Sequence, residues 1–460
     1  MIVVHHTPFN FPLDEHFLGE TIILGTLVRG YNGTNYVISA NSNEIKSKSL
    51  PENLPEYVAS ANFNNANLKR IPYRAKDNAD YINFIKSLLD ASGGPIILNY
   101  HFPRKDLGVT RAMKRQFGSD VATVMHLHCM PELLEPTHYN QSKDNKPLAE
   151  LLQGSDVDRF IAVSNAVKTA FVYSDLIDGD KISLVNNGVD MGLYTIPPEH
   201  HKKELKKKIG INAERVVGYV GRLDKYKGAD TILELLRYFE RTSEKRYGFV
   251  FATSDGAERE SFFNKLKHIA PNLIENDQIK IVLDISKLTR GKTSLDEAIN
   301  SHFLNQLRSE GITGSKAYGG IVTEPIHMAF DYYLHPSKSE AICLAIIEAL
   351  AVGVPVIASE TGGIPDLVHD SNGILIKIKS PDDPTLQNFL AENEEGKNAE
   401  AFLDALRTVE QRILDRKISS PDEIRTQVLK GGFTSDIMME KTMDAYMKAV
   451  EHAESRKKPS

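Results

Sequence analysis

Short apolar runs alternate with helix-length amphipathic stretches from the second residue onward. IVVHH opens the chain, a pattern ETIILGTLVRG follows, and then come NYVISA, PIILNYH, ATVMHLH, RFIAVS and ISLVNNGV. Runs that are apolar along their whole length suit strands covered on both faces. Their spacing predicts βαβ units on a parallel sheet. A second series, RVVGYVG, YGFVFAT, IKIVLD, DYYLHPS and PVIASE, begins after the polar stretch TIPPEHHKKELKKKIG. Pro197 and Pro198 interrupt regular structure there, and the charges that follow read as a solvated linker helix. At the far end, Ile437, Met438, Thr442, Tyr446 and Val450 recur at helical spacing within Thr434–Lys457, with the methionines as core packing.

These patterns divide the chain into an α/β domain over 1–189, a second over 190–433, and a C-terminal helix over 434–460 that is free to return to the first. A length of 460 residues agrees, because a single hydrophobic core stops growing well below it. Composition adds exclusions. A net charge of −6 gives no basic footprint for nucleic acid. Two cysteines, Cys129 and Cys343, make no disulfide framework and fit a cytoplasmic setting. MIVVHHTPFNF reads as a strand and not a signal peptide, and no apolar stretch is long enough to span a membrane. Peripheral membrane contact stays open through Lys202–Lys208, KKELKKK, a candidate surface for anionic lipid or glycan.

Candidate chemistry concentrates in Asp331–Val368. A strand, YYLH, leads into a turn over Pro336–Ser339, a helix over Leu344–Val352 that stops at Gly353, a strand PVIAS and a Gly-Gly turn. Glu340 and Glu348 are eight residues apart, more than two helical turns, so they serve one ligand only if Glu340 precedes the helix and Glu348 lies within it. The N-terminus of that helix offers unpaired N–H groups and a positive dipole end, a seat for a diphosphate. The carboxylates would accept from sugar and ribose hydroxyls. The second concentration is Gly221–Gly228, GRLDKYKG, between a strand and an apolar helix. Arg222 as a fork and a lysine as a point charge suit a diphosphate leaving group. His126 and His128 end a strand on one face. That pair invites a zinc reading, but no third ligand has convincing spacing. Ser164 reads as a helix cap.

The Pro-Ser, Glu340, Glu348, Gly353-Val354-Pro355-Val356 and Gly362-Gly363 pattern closely resembles the donor-binding motif of the retaining family-4 glycosyltransferases. Gly221-Arg222-Leu223 with Lys227-Gly228 resembles a second signature of the same family, with Lys225 the weaker match. Asn187-Gly188-Val189-Asp190 resembles its domain crossover. The resemblance implies the α/β GT-B fold, two Rossmann-like doubly wound domains facing across a cleft. It implies transfer of a sugar from a nucleotide-diphosphate donor to a hydroxyl acceptor of unspecified identity, with retention. Glu340 would contact the donor sugar, Glu348 the ribose, and the backbone of Ala341, Ile342, Cys343 and Leu344 the phosphates. Arg222 and Lys227 would hold the diphosphate. His126, ahead of His128, would lie by the sugar, and Gly19 would stand where the family has a glycine-rich loop. The family often has Phe-Gly where this chain has Ile342-Cys343.

No cofactor and no metal are implied, since cations and the helix end neutralise the diphosphate and no Asp-x-Asp pair ends a strand. Oligomeric state is not indicated. Residues 284–325 lack the family's usual connection and read as an insertion. A phosphorylase-like enzyme would need a lysine in a pyridoxal-phosphate context, and none stands out. An inverting GT-B epimerase or transferase lacks the glutamate pair. A non-catalytic nucleotide-sugar-binding scaffold stays open.

Overall fold

The apolar runs become two parallel sheets because helices on both faces leave their strands no wet side. The first holds β1 (Ile2–Thr7), β2 (Thr34–Ser39), β3 (Ala66–Arg70), β4 (Ile96–Tyr100), β5 (Val121–Leu127), β6 (Arg159–Ala162) and β7 (Ile182–Leu184), in the order β3-β2-β1-β4-β5-β6-β7. β4 and β5 are buried at every position. The helices described beside it are α1 (Ala79–Ser92), α2 (Pro103–Phe117) and α3 (Asn165–Tyr173). Ser164 caps α3, accepting from the Val167 amide at 3.2 Å.

The second sheet holds β8 (Arg215–Val220), β9 (Tyr247–Ala252), β10 (Ile279–Asp284), β11 (Tyr318–Val322), β12 (Tyr332–His335), β13 (Val356–Ser359) and β14 (Gly373–Ile376), in the order β11-β10-β9-β8-β12-β13-β14. The helices described beside it are α4 (Glu199–Ile209), α5 (Ala229–Thr242), α6 (Ala257–Ile269), α7 (Pro271–Glu275), α8 (Leu344–Ala351), α9 (Glu395–Leu414) and α10 (Pro421–Lys430). A last helix, α11 (Ser435–Ser455), is capped by Thr434.

This computed structural model describes residues 1–7, 26–27, 34–39, 66–70, 79–101, 103–131, 152, 156–253, 257–284, 318–322, 325–378 and 395–456. The chain divides into one unit of Met1–Gly188 with Gly432–Ser460 and another of Val189–Gly431. In each sheet the strand order reverses once, between β1 and β4 and between β8 and β12. Open α/β sheets bind ligands at such switch points, outside the strand carboxyl ends. Among the described residues no helix is long and apolar enough to cross a membrane.

Several expectations change. β3, β11 and β14 were not legible as strands. All three are edge strands of four or five residues; ANLKR and YGGIV carry little apolar signal, and GILI is apolar but only four residues long. The stretch 284–325, read as an insertion, supplies β11, which pairs in parallel with β10; 285–317 lie outside the described residues. The lysine-rich stretch is not a solvated linker. It is α4, with Leu205 and Ile209 buried. Lys202 and Lys206 hold Asp331 at 2.8 and 2.6 Å, and the Val216 amide donates to the same carboxylate at 2.7 Å. Burial would raise Asp331, but the two ammonium groups outweigh it and hold the carboxyl below its usual range. In α11, Met438, Thr442 and Tyr446 are buried, whereas Met447 is exposed.

Besides its buried face, α11 is tied to the first unit by one carboxylate. Asp158 is fully buried. It accepts from Lys114 Nζ at 2.6 Å, from the Thr123 amide and hydroxyl at 2.8 and 2.9 Å, and from His452 Nδ1 of α11 at 3.0 Å. Removing one member of a buried ion pair costs about 3–5 kcal/mol, because the other charge is stranded. Asp158→Ala therefore lowers the unfolding free energy by about that amount, read in urea denaturation of both proteins. A loss under about 1 kcal/mol would show that Lys114 finds water or another acceptor.

Candidate functional site

The two sequence motifs meet at the switch point of the second sheet. Gly221–Gly228 leaves β8, and Pro336–Cys343 leaves its neighbour β12. The loops are joined through backbone. Lys338 N donates to Tyr226 O at 2.8 Å, and Ser337 Oγ donates to the same carbonyl at 3.2 Å. Gly228 has a φ of +78°, and a Cβ there would stand 2.1 Å from the Pro336 carbonyl oxygen. Only glycine lets the loops close to this distance. The Gly-Gly turn does the same for Glu340. Gly363 N donates to Glu340 O at 3.2 Å, while a Cβ on Gly362, at φ +50°, would lie 1.6 Å from that oxygen.

Held in this way, Glu340 is buried, with two cationic groups on one of its oxygens. Lys227 Nζ lies 2.5 Å and His335 Nε2 2.7 Å from Oε1. Burial would push the carboxyl up, yet the Lys227 charge and the His335 hydrogen bond bring it down to about 2. Burial would lower His335, but the Cys343 sulfur at 3.8 Å and the Glu340 carboxylate raise it to about 9. The imidazole is therefore protonated at neutral pH. Its Nδ1 faces the Tyr333 hydroxyl at 3.4 Å, and its ring lies parallel to those of Tyr219 and Tyr333. Lys227 is raised too, since its desolvation is outweighed by Glu340. Arg222 is about half exposed and pairs with Asp224 at 3.1 Å, while Tyr219 donates to the Arg222 carbonyl at 2.5 Å.

Next to this cluster α8 begins. Cys343 is its N-cap, and the Cys343 side chain makes no capping hydrogen bond. Ile342, Cys343 and Leu344 are buried, and Ala341 half-buried. Arg425 of α10 donates to the Ala351 carbonyl at 2.6 Å and to Met191 O at 2.7 Å, and so anchors the far end of α8. Glu348 lies within the helix and Glu340 before it, the arrangement their spacing requires. Glu348 is buried, with His327 Nε2 3.6 Å away.

A different cluster occupies the carboxyl ends of β1, β4 and β5 in the N-terminal unit. His126 and His128 are brought together with His101, which sequence spacing did not reveal as a partner. His101 Nδ1 lies 3.0 Å from His128 Nε2, and Asn99 Nδ2 lies 3.2 Å from His101 Nε2 and 3.0 Å from His5 Nδ1. The three rings stack at 4.5–5.4 Å between centroids. Burial, reinforced by neighbouring imidazoles, holds His101 and His126 well below the usual histidine range, and burial holds His128 at about 3. All three are neutral at physiological pH. Gly19 lies outside the described residues.

His335, Tyr219, Tyr333, His101 and Asn99 were missed from sequence. His335 directly precedes the Pro336-Ser337 pair, which was the available signal. The others are apolar-run residues whose role appears only when strands align.

Two family models match the chain: Glycosyltransferase Family 4 over residues 48–193 and Glycosyl transferases group 1 over 324–412. Together they cover about half of it. A D-inositol 3-phosphate glycosyltransferase of Corynebacterium aurimucosum is 27% identical over 225 residues, 47% of this chain and 45% of that protein. The sulfoquinovosyl transferase of Arabidopsis thaliana is 24% identical over 216 residues, 46% and 32% of the two chains. The match thus spans half or less of the length of these curated relatives. Among solved structures, Anabaena HepE in complex with UDP has a TM-score of 0.62 at 15% identity, covering 97% of this chain and 99% of that one. Sucrose-phosphate synthase of Thermosynechococcus elongatus has 0.62 at 14%, covering 97% and 98%.

Two outcomes follow from the Glu340 cluster. Glu340, depressed from 4.5 to about 2, stabilises the fold fully above pH 4.5 and loses that contribution as pH falls toward 2. His335, raised from 6.5 to about 9, contributes fully below pH 6.5 and loses its contribution as pH rises through 9. The unfolding midpoint therefore falls between pH 6.5 and 9.5 in the wild type, and this fall is much smaller in His335→Gln. Parallel pH profiles for the two proteins would refute the pairing. Gly362→Ala costs about 1–3 kcal/mol through backbone conformation alone, and displacement of Glu340 adds to it. A thermal midpoint equal to wild type would contradict the contact.

Proposed function

We propose that this chain, which belongs to the family-4-like glycosyltransferases of the GT-B fold, moves a sugar from a nucleotide-diphosphate donor to a hydroxyl acceptor with retention of configuration. The observation that carries this reading is the convergence of Lys227 and His335 on one oxygen of Glu340, beside the uncapped start of α8 and at the switch point of the sheet. A site for a sugar diphosphate needs cations for the phosphates and a fixed carboxylate for the hydroxyls, and these residues supply both.

As the bond from sugar carbon to phosphate oxygen breaks, negative charge grows on the diphosphate. Arg222, Lys227 and the backbone of Ala341–Leu344, which leads into α8, stabilise that charge without a metal. Both cationic contacts of Glu340 are to Oε1, which leaves Oε2 to accept from hydroxyls of the donor sugar. Glu348 accepts from the ribose diol. His126 and His128, neutral, serve the sugar as hydrogen-bond partners and not as charges. The acceptor is a hydroxyl of a saccharide, a lipid-linked saccharide or a small metabolite. A cytoplasmic location, with contact at a membrane surface, fits this reading.

UDP-sugars come first in any test, because the similar Anabaena structures hold UDP and UDP-glucose. The purified chain is titrated with UDP-, GDP-, ADP- and TDP-sugars, reading thermal shift, and then assayed for NDP release. One nucleotide stabilises the protein selectively. Arg222→Ala lowers kcat about a hundredfold or more, as removal of one stabiliser of developing charge does. Glu348→Ala weakens donor binding. Binding without any turnover over a broad acceptor panel would replace the enzyme reading with a nucleotide-sugar-binding scaffold. No binding of any donor would remove the site assignment.

A further inference from the structure

We propose that Asn99 and His101 are positioning residues that fix the tautomer of His128, so that His128 offers its Nδ1–H as a hydrogen-bond donor to an oxygen of the donor sugar. The proposal rests on the transfer reading for its ligand, and on the protein's own hydrogen bonds for its direction. Strand register builds the chain of groups. His5 of β1 pairs with Asn99 of the neighbouring β4. His101 stands two residues beyond Asn99 and so shares its face. Tyr100 pairs with Met125, which brings the residues that follow, His101 and His126, side by side, with His128 two residues further on. His5, Asn99 and His101 are buried, while His128 is half-buried and ends the line.

Donor and acceptor roles follow one from the next. The Asn99 amide has two N–H groups and gives one to each ring, with Nδ2 3.0 Å from His5 Nδ1 and 3.2 Å from His101 Nε2. A ring nitrogen that receives an N–H must present its lone pair, so the His101 proton sits on Nδ1. From there it is donated to His128 Nε2, 3.0 Å away. The two rings are 12° from parallel with centroids 5.3 Å apart, which is the nitrogen–nitrogen distance plus one ring radius at each end. The bond therefore runs along the ring planes, in line with the lone pair that accepts it. His128 Nε2 being the acceptor, the His128 proton is left on Nδ1. That nitrogen has no hydrogen-bond partner among the described residues. Neither His101 nor His128 is an imidazolium, since each has a nitrogen that already receives a hydrogen bond, and burial acts in the same sense.

The orientation of the Asn99 amide sets the direction of the whole chain. Its Oδ1 is buried without a partner among the described residues. Turned end for end, the amide would accept from both rings and strand two N–H groups in place of one oxygen, which costs a second unpaired polar group. It would also run the chain backwards and make His128 Nδ1 an acceptor. The orientation with fewer orphaned groups is the one that makes His128 a donor. His126, stacked on His101 at 4.5 Å, lies outside the chain. An unrestrained imidazole divides between two tautomers, and fixing one in advance removes that cost from binding.

The test reads the tautomers directly, by long-range proton–nitrogen correlation on the full chain with ¹⁵N-histidine at neutral pH. His101→Phe and His128→Gln assign the signals. In the wild type both His101 and His128 carry the proton on Nδ1 and a bare Nε2. Asn99→Leu, close in shape but without the donors, mixes the two tautomers of both rings. In calorimetry the same variant loses about 2–10-fold in affinity for UDP-glucose, the worth of one hydrogen bond, and keeps its affinity for UDP. If wild type selects another base, the corresponding pair of sugar nucleotide and nucleotide is used. A His128 proton on Nε2 or an imidazolium in the wild type, which needs no variant, would overturn the proposal. So would tautomers unmoved by Asn99→Leu, or equal losses for UDP-glucose and UDP, the mark of a merely structural role. If wild type binds no sugar nucleotide at all, the transfer reading falls and the sugar's part here falls with it, while the spectra still decide the direction of the chain.

Discussion

A buried carboxylate must be compensated, and in the C-terminal unit that requirement on Glu340 organises everything around it. An uncompensated charge at that depth would cost several kcal/mol, so Lys227 and His335 have to arrive on the same oxygen. Lys227 arrives from the loop after β8, and His335 from the end of β12. The two strands must therefore be neighbours and their loops must touch. Gly228 and Gly362 are the steric conditions of that contact, one admitting the Pro336 carbonyl and the other the Glu340 carbonyl. The glycines flanking the motifs thus have a specific task, which is to let backbone approach backbone where any Cβ would hold the charges apart.

The N-terminal unit meets the same topology with the opposite chemistry. Its sheet reverses order between β1 and β4, and its functional groups also gather at strand ends, but there they are imidazoles without a compensating carboxylate. Burial keeps them neutral instead of charging them. His335 is raised to about 9 by a sulfur and a carboxylate, whereas His128, with neither, is lowered to about 3. The same side chain is a fixed cation in one sheet and a lone-pair donor in the other. Neighbours decide which, not the residue type.

The fold was largely legible because parallel strands buried on both faces write themselves as continuous apolar runs, and eleven of the fourteen described strands did so. Those that did not, β3, β11 and β14, are edge strands, where one flank lacks a partner and composition is loosely constrained. The placement of Glu340 before a helix and Glu348 within it was legible through spacing, as was a lysine before Gly228. His101 was not, because it meets His126 and His128 from a neighbouring strand, and register between strands leaves no mark in a linear pattern; His335 was missed although it lies only five residues before Glu340. The lysine-rich α4 misled for a related reason. Its charges look solvated in sequence, and only the fold brings Asp331, more than a hundred residues away, beneath them.

Compensation of Glu340 also bears on how the proposed site would accept a donor. Lys227 pairs with Glu340, and Arg222 with Asp224. A diphosphate brings two or more negative charges toward these cations, so part of each pair's attraction is redirected and not newly created. Glu340 would keep a compensating partner in that reading, because His335 also contacts Oε1, at 2.7 Å. The histidine thus separates two roles that a single lysine could not fill together. It keeps the carboxylate ionised and in place, and it leaves Lys227 able to turn toward phosphate without stranding a buried charge.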